Sequence, residues 1–188
     1  MMVEHVRKAG SVILDGGTIL YPTDTIWGLG CDATNPDAIQ KIFEVKQRED
    51  RKSMLVLING TSMLKQYLGK VPDQALKILD STDKPTTIIY PDARNLAENL
   101  IADDGSIGIR ITSDPFCRQL IERTGKPIVS TSANISGKPS PSLFSEINFQ
   151  ILELVDHVVN WRQDETSPTN PSTIIKIDTK GDIITLRP

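Results

Sequence analysis

An α/β or α+β domain is the fold class this sequence predicts, and three observations carry that expectation. Segments with apolar residues at helical spacing alternate along the chain with short β-branched runs. The junctions carry stop and cap residues, as at Gly16-Gly17, Pro22, Asn35-Pro36, Asn59-Gly60 and Asp114-Pro115. The 188 residues are 38% hydrophobic and 24% charged, which suits one full-sized domain with a real core and is short for two.

The elements follow in order. Residues 3–14 read as a helix that ends before Gly16-Gly17, and Thr18 to Tyr21 as a strand stopped by Pro22. Asn35 is a helix cap with Pro36 at the first helical position, and Ile39, Ile42 and Phe43 share one face of the helix that follows. Met54 to Ile58 is a buried strand closed by the Asn59-Gly60 turn, and residues 72–82 form an amphipathic helix through Ala75, Leu76 and Leu79. Thr86 to Tyr90 is a strand. In Ser106–Thr112, Ile107, Ile109 and Ile111 alternate with Ser106, Gly108, Arg110 and Thr112, the pattern of a half-buried strand with a polar face. Asp114-Pro115 opens a helix to Arg123, Ile128–Ser132 is a strand, Ser145 caps a helix to about Leu154, and Asp156 to Trp161 is extended. Two strands, Ser172–Ile177 and Ile183–Arg187, close the chain around the turn Asp178–Asp182.

Composition excludes several functions. A net charge of −3 gives no global basic field for a long nucleic acid, so any such contact needs a local patch. Cys31 and Cys117 stand far apart, which excludes a CxxC motif and reads as two reduced core thiols. His5 and His157 are equally isolated, so neither a histidine-based zinc site nor a Ser-His-Asp triad has material, and no residue is assigned as a metal ligand. The first residues lack the apolar core of a signal peptide, and no run approaches the roughly 20 apolar residues of a membrane span. The expected location is the cytoplasm, with no membrane partner.

Three stretches carry candidate chemistry. In IVSTSANISGKPSPS (128–142), Ser130, Ser132 and Asn134 point to one side if the extended path continues, and Ser106 and Arg110 share a side of their own strand. Small hydroxyls beside a guanidinium suit a ligand with carboxylate or phosphate groups, although a solvated sheet surface has the same pattern. In EVKQREDRKSM (44–54), Lys46, Arg48, Arg51 and Lys52 fall within seven residues just before a buried strand. Lys46 continues the stripe of Ile39, Ile42 and Phe43 and so faces inward. This run is either a solvated helix end or a phosphate site on a helix-to-strand loop. YPTDTIWGLGCDA (21–33) lacks GK[ST] and GxGxxG, and is either a structural turn or a ligand floor built on Thr25 with glycines that admit a ligand to the backbone.

Together these stretches resemble the YrdC-like family of threonylcarbamoyl-adenylate synthases. The resemblance rests on YPTDTIWGLGCDA, the element Lys46-Gln47-Arg48 with Lys52, SIGIRI, STSANISGKPSP with its Ser132-Ala133-Asn134 signature, PSTIIKI and the terminal LRP, in family order over nearly the whole chain. It implies a twisted, largely mixed sheet flanked by helices with a concave basic ligand-binding surface, in a single domain spanning residues 1–188. It implies conversion of L-threonine, bicarbonate and ATP, with Mg2+, to threonylcarbamoyl-AMP and pyrophosphate, for transfer of the threonylcarbamoyl group to tRNA by partner transferases. Thr25, Arg110, Ser130 and Ser172 would hold threonine. Arg48, Lys52, Ser106, Ser132, Asn134, Ser140 and Arg187 would hold ATP, and Lys46, Arg48 and Lys52 would act at the phosphates. Such a reaction runs on alignment and charge stabilisation, which explains lysine, arginine and serine without an indispensable histidine.

Two departures stand out. Leu57 occupies the position, five beyond Lys52, where some relatives carry a histidine at the threonine site. The chain reaches Pro188 directly after Arg187, where many relatives continue with glycine, so Arg187 is expected to fray. The longer branch of the family adds a linker and a second domain, and the single-domain form is the one expected here. The competing reading is an RNA-binding module of the same fold without this chemistry, and it would call for stacking aromatics along a basic track, whereas aromatics are only 5% of the chain.

Overall fold

The structure is a computed structural model that describes residues 2–47 and 54–188. Helix α1 (Met2–Leu14) buries Val6, Ala9 and Ile13 and packs on α5 (Pro115–Thr124), whose inner side carries Phe116, Cys117, Leu120 and Ile121. Gly16 then takes a left-handed φ of 75° that lets the chain turn into β1 (Ile19–Tyr21). The cap read at Asn35 is present: its side chain accepts from the N–H groups of Asp37 and Ala38, at 3.0 and 3.1 Å, and starts α2 (Pro36–Val45). Asp114 does the same for α5, accepting from the Cys117 N–H at 2.9 Å, and Gly125 closes that helix at φ 64°.

Among the described residues nine strands form one sheet. The remaining strands are β2 (Gly28–Gly30), β3 (Leu55–Ile58), β4 (Thr86–Tyr90), β5 (Ile107–Ile111), β6 (Ile128–Ser132), β7 (His157–Val158), β8 (Thr173–Ile177) and β9 (Ile183–Arg187). Their order is β7-β1-β2-β6-β3-β5-β4-β8-β9. The pairs β1/β7, β3/β5 and β4/β8 are parallel, and the other five are antiparallel, so the sheet is mixed as expected. The seam that matters runs through β6: Ser132 lies opposite Gly28 of β2, and Ser130 opposite Leu55 of β3. The serine-rich strand is therefore central, with neighbours on both sides.

Four expectations are corrected. The segment 28–30 is a strand and not a turn. Its glycines answer crowding: a Cβ on Gly30 would meet the Val129 carbonyl oxygen at 2.5 Å and the Tyr21 ring at 2.6 Å, and one on Gly28 would meet Ser130 Oγ at 3.0 Å. Strand β5 is buried from Ile107 to Arg110 rather than half-buried, because the face carrying Gly108 and Arg110 turns into the interior of the site. A short helix that the periodicity did not suggest, α3 (Thr61–Tyr67), follows the Asn59-Gly60 turn and precedes α4 (Asp73–Ser81). Finally, Ser145 caps nothing. Glu146 folds back to accept from the N–H groups of Ser142 and Leu143, giving one 3-10 turn over Phe144–Glu146, and Asn148 caps the separate helix α6 (Phe149–Leu154).

The extended stretch expected at 156–161 pairs only over His157–Val158. Because β7 lies at one edge and β8 near the other, the intervening residues cross the sheet. Arg162, at a left-handed φ of 64°, anchors this crossing through a 2.7 Å ion pair to the buried Asp114. Cys31 and Cys117 are free buried thiols, as read. Burial pushes the Cys117 thiol far above its ordinary range, so it behaves as a small apolar side chain.

Gly30→Ala is expected to destabilise the fold by about 2 kcal/mol or more, because the added methyl has backbone and a packed ring against it. A urea unfolding midpoint unchanged from the parent would contradict this crowding.

Candidate active site

A hollow of about 210 Å³ opens where β2, β3, β4, β5, β6, β8 and β9 present their side chains to one place. Thr25, Trp27 and Gly28 form one wall and Ser130, Thr131 and Ser132 the next. Gly108 and Arg110 of β5 lie beside Thr87 and Ile89 of β4, and Ser140, Ser172 and Arg187 complete the rim. Period-two alternation explains why Gly108 with Arg110, and Thr87 with Ile89, share this side of their strands.

Arg110 is the buried charge of the hollow. Its guanidinium is 2% exposed and forms an ion pair with Asp24, 11% exposed, at an NH2–Oδ1 distance of 3.0 Å. That contact is one of charge and not a directed hydrogen bond, since Asp24 Oδ1 has no hydrogen-bond donor aimed at it. One hydrogen bond does leave the guanidinium: NH1 donates to Thr25 Oγ1 at 3.1 Å. Thr23 donates to the Ile26 carbonyl at 2.8 Å, so in the 2.9 Å contact between the two hydroxyls Thr25 is the donor to Thr23. Thr25 is thereby oriented with its acceptor side toward Arg110. Nε of Arg110 is buried with no partner among the described residues.

The opposite rim carries a second guanidinium. Arg187 donates through Nε to the Ser172 carbonyl at 2.8 Å and through NH2 to Ser172 Oγ at 3.4 Å, and Ser172 Oγ sits 2.8 Å from Thr87 Oγ1. The fraying expected of Arg187 is thus corrected: pairing of β9 with β8 and these two bonds hold it at the hollow. Burial, and then the charge of Arg110, lower the proton affinity of Arg187. Two cations that repel each other across an open hollow favour an anion between them.

Lys46 faces inward, as its place on the helix stripe suggests, and is 3% exposed. Its ammonium donates to the carbonyl oxygens of Ser132 and Asn134 at 2.6 and 2.8 Å, and reaches Asn134 Oδ1 at 3.4 Å. The Ser132 hydroxyl also bonds Asn134 Oδ1, while Asn134 Nδ2 donates to the Lys138 carbonyl at 2.6 Å. Lys46 and Asn134 therefore clasp the end of β6. Neither side chain is among the residues that line the hollow. Lys46, the first cation of that run, therefore meets the end of the serine strand.

The other sequence-derived residues divide clearly. Thr25, Arg110, Ser130, Ser172, Ser132, Ser140 and Arg187 all line the hollow. Ser106 does not: its hydroxyl donates to Asp104 at 2.5 Å, and Asp104 also accepts from Lys176 at 2.8 Å. Lys176 first, then Ser106, hold the Asp104 carboxyl down at about 2. Arg48 and Lys52 lie outside the described residues. Leu57 is buried within β3, opposite Arg110 in register, and contributes no polar group. Sequence reasoning missed Asp24 and Thr87. Thr87 was within reach, since Thr87 and Ile89 alternate along an assigned strand, whereas pairing Asp24 with Arg110 needs the tertiary fold.

Comparison with known proteins agrees with this geometry. The family model Sua5/YciO/YrdC, described as telomere recombination, matches residues 11–188. A threonylcarbamoyl-AMP synthase of Pseudoalteromonas translucida is 32% identical over 172 residues, covering 90% of this chain and 91% of the relative. One of Hahella chejuensis is 36% identical over 146 residues, covering 77% and 79%. The structure of P. abyssi Sua5 complexed with L-threonine superposes with a TM-score of 0.85 at 25% identity, and the match covers 97% of this chain but 53% of that one, so this chain spans about half its length. By sequence, by family pattern and by fold, the chain belongs to the Sua5/YciO/YrdC family.

Proposed function

We infer that this chain is a threonylcarbamoyl-AMP synthase that converts L-threonine, bicarbonate and ATP to threonylcarbamoyl-AMP, pyrophosphate and water. The observation that carries this reading is the convergence of two guanidiniums and a row of neutral hydroxyls on one hollow. Relatives with the synthase name match most of the chain, and a structural neighbour holds L-threonine.

In this reading the threonine amine adds to bicarbonate with loss of water, giving a carbamate. A carbamate oxygen then forms a bond to the α-phosphorus of ATP, and the bond to pyrophosphate breaks. Thr25, Arg110, Ser130 and Ser172 form the amino-acid end, where the carboxylate meets the unspent N–H groups of Arg110. Ser132, Ser140 and Arg187 face the nucleotide, joined by Arg48 and Lys52 on the adjoining segment. Lys46 and Asn134 act behind them by fixing the carbonyl and hydroxyl of Ser132. Ser106 meets the nucleotide only by exchanging its bond to Asp104. No step requires a protein base of shifted affinity: rate comes from alignment and from cations placed where charge accumulates.

Magnesium is proposed to enter on the ATP phosphates. Among the described residues the hollow's lining has no carboxylate, and no cluster of His, Cys, Asp and Glu could hold a metal. The threonylcarbamoyl group is destined for tRNA through partner transferases, which places the work in the cytoplasm. Among the described residues no helix is long and apolar enough to cross a membrane. An RNA-binding role without chemistry is disfavoured by Trp27, which is 5% exposed and packed 4.8 Å from the Phe144 ring, so that it stands inside the hollow and not along an open stacking track.

Incubation with labelled bicarbonate, L-threonine and ATP-magnesium is expected to give labelled threonylcarbamoyl-AMP on chromatography, dependent on all three substrates. Label that stays as bicarbonate would overturn the assignment. Arg110→Ala is expected to raise the threonine KM by about tenfold or more, the scale of one charge-assisted contact, with the ATP KM changed much less. Equal rises in both constants would contradict the amino-acid placement of Arg110.

A further inference from the structure

We propose that Asp24 is a positioning residue for the amino-acid end of the hollow, holding Arg110 by charge while leaving its N–H groups for the ligand's carboxylate. The proposal rests on the synthase reading above and adds a residue which that reading does not use.

A guanidinium carries five N–H donors. Among the described residues, one hydrogen bond leaves Arg110, from NH1 to Thr25. Burying a guanidinium with so few acceptors is costly unless an opposite charge stands close. Asp24 supplies that charge at 3.0 Å, from a side chain itself 11% exposed. It does so without receiving a directed hydrogen bond at Oδ1, while Nε of Arg110 stays unpartnered. The cation is therefore balanced in charge but unsatisfied in donors. This is the condition in which an incoming carboxylate gains most from hydrogen bonds and least disturbs a naked buried charge.

Asp24 is itself fixed by the segment that follows β5. Its Oδ2 accepts from Thr112 Oγ1 at 3.2 Å and from the Ser113 N–H at 3.3 Å. Arg110 and Thr112 lie two residues apart, so one stretch of chain carries both the guanidinium and the clamp on its counter-ion. The loop from Thr23 to Thr25 closes the arrangement from the other side, since Thr25 accepts from Arg110 NH1 and is oriented by Thr23. With Asp24 changed to asparagine, an amide of the same size removes the charge, and the guanidinium is no longer drawn against this loop.

The test compares the parent, Asp24→Asn, Asp24→Glu, Arg110→Ala and the Asp24→Asn/Arg110→Ala double variant in the adenylate-forming assay, with melting temperatures alongside. Asp24→Asn should raise the threonine KM by about tenfold, with the ATP KM and kcat within about threefold of the parent. Asp24→Glu should recover part of the loss. In the Arg110→Ala background, Asp24→Asn should add less than twofold, because it acts through a group already gone. A threonine KM that is unchanged or lowered, parallel rises in both KM values, or full additivity in the double variant would overturn the proposal. Should Asp24→Asn not fold, Thr112→Val removes a clamp on Asp24 and should raise the threonine KM by about threefold; no change there would overturn it equally. A parent enzyme that forms no adenylate would instead sink the synthase reading, and calorimetric titration of L-threonine into parent and variants would still decide the role of Asp24.

Discussion

A guanidinium buried in the middle of a nine-stranded sheet is the constraint around which this molecule is arranged. Unpaired, it would cost several kcal/mol. The chain meets that cost with Asp24, brought from the loop between β1 and β2, and with the hydroxyl of Thr25 from the same loop. The loop can lie there only because β2 is nearly free of side chains on its inner face. Gly30 admits the Val129 carbonyl and the Tyr21 ring at distances no Cβ would allow, and Gly28 lies tightly against Ser130. Strand pairing, glycine placement and the buried charge are therefore one arrangement.

The second organising contact is Lys46. Read along the sequence, it belongs to a run of positive charge and invites a phosphate. In the fold it ties the end of α2 to the turn that follows β6, through two carbonyl oxygens. A lysine ammonium is a compact point charge with three donors, well suited to gather backbone carbonyls at a strand end. The exit of the serine wall is thus held by a cation placed behind it, and among the described residues the cations of the lining itself are Arg110 and Arg187.

Much of the fold could be read directly. Helix caps at Asn35 and Asp114 have a local chemical cause, and the strands at 86–90, 128–132, 173–177 and 183–187 follow from β-branched runs and their breakers. What escaped has equally physical reasons. A Gly-Leu-Gly strand has almost no β propensity and forms because its neighbours leave no space for side chains. The helix expected from Ser145 yields to Glu146, which turns back on the preceding amides. At the site, seven of the residues taken from motif resemblance line the hollow: Arg110, Ser130, Ser132 and Arg187 from strands, and Thr25, Ser140 and Ser172 from the connections beside them. Ser106 is turned to Asp104, a neighbour two residues before it, while Asn134 is held by Lys46, a partner distant enough in sequence that spacing alone gives no sign of it.

The proposed convergence of an amino-acid end at Arg110 and Ser172 with a nucleotide end at Ser132 and Arg187 is tested most directly by a crystal structure of the chain with L-threonine and a non-hydrolysable ATP analogue. The expected result places the threonine carboxylate within hydrogen-bond distance of Arg110 and the analogue's phosphates beside Arg187 and Ser132. Threonine or phosphates bound elsewhere, with Arg110 facing only Asp24 and Thr25, would contradict it.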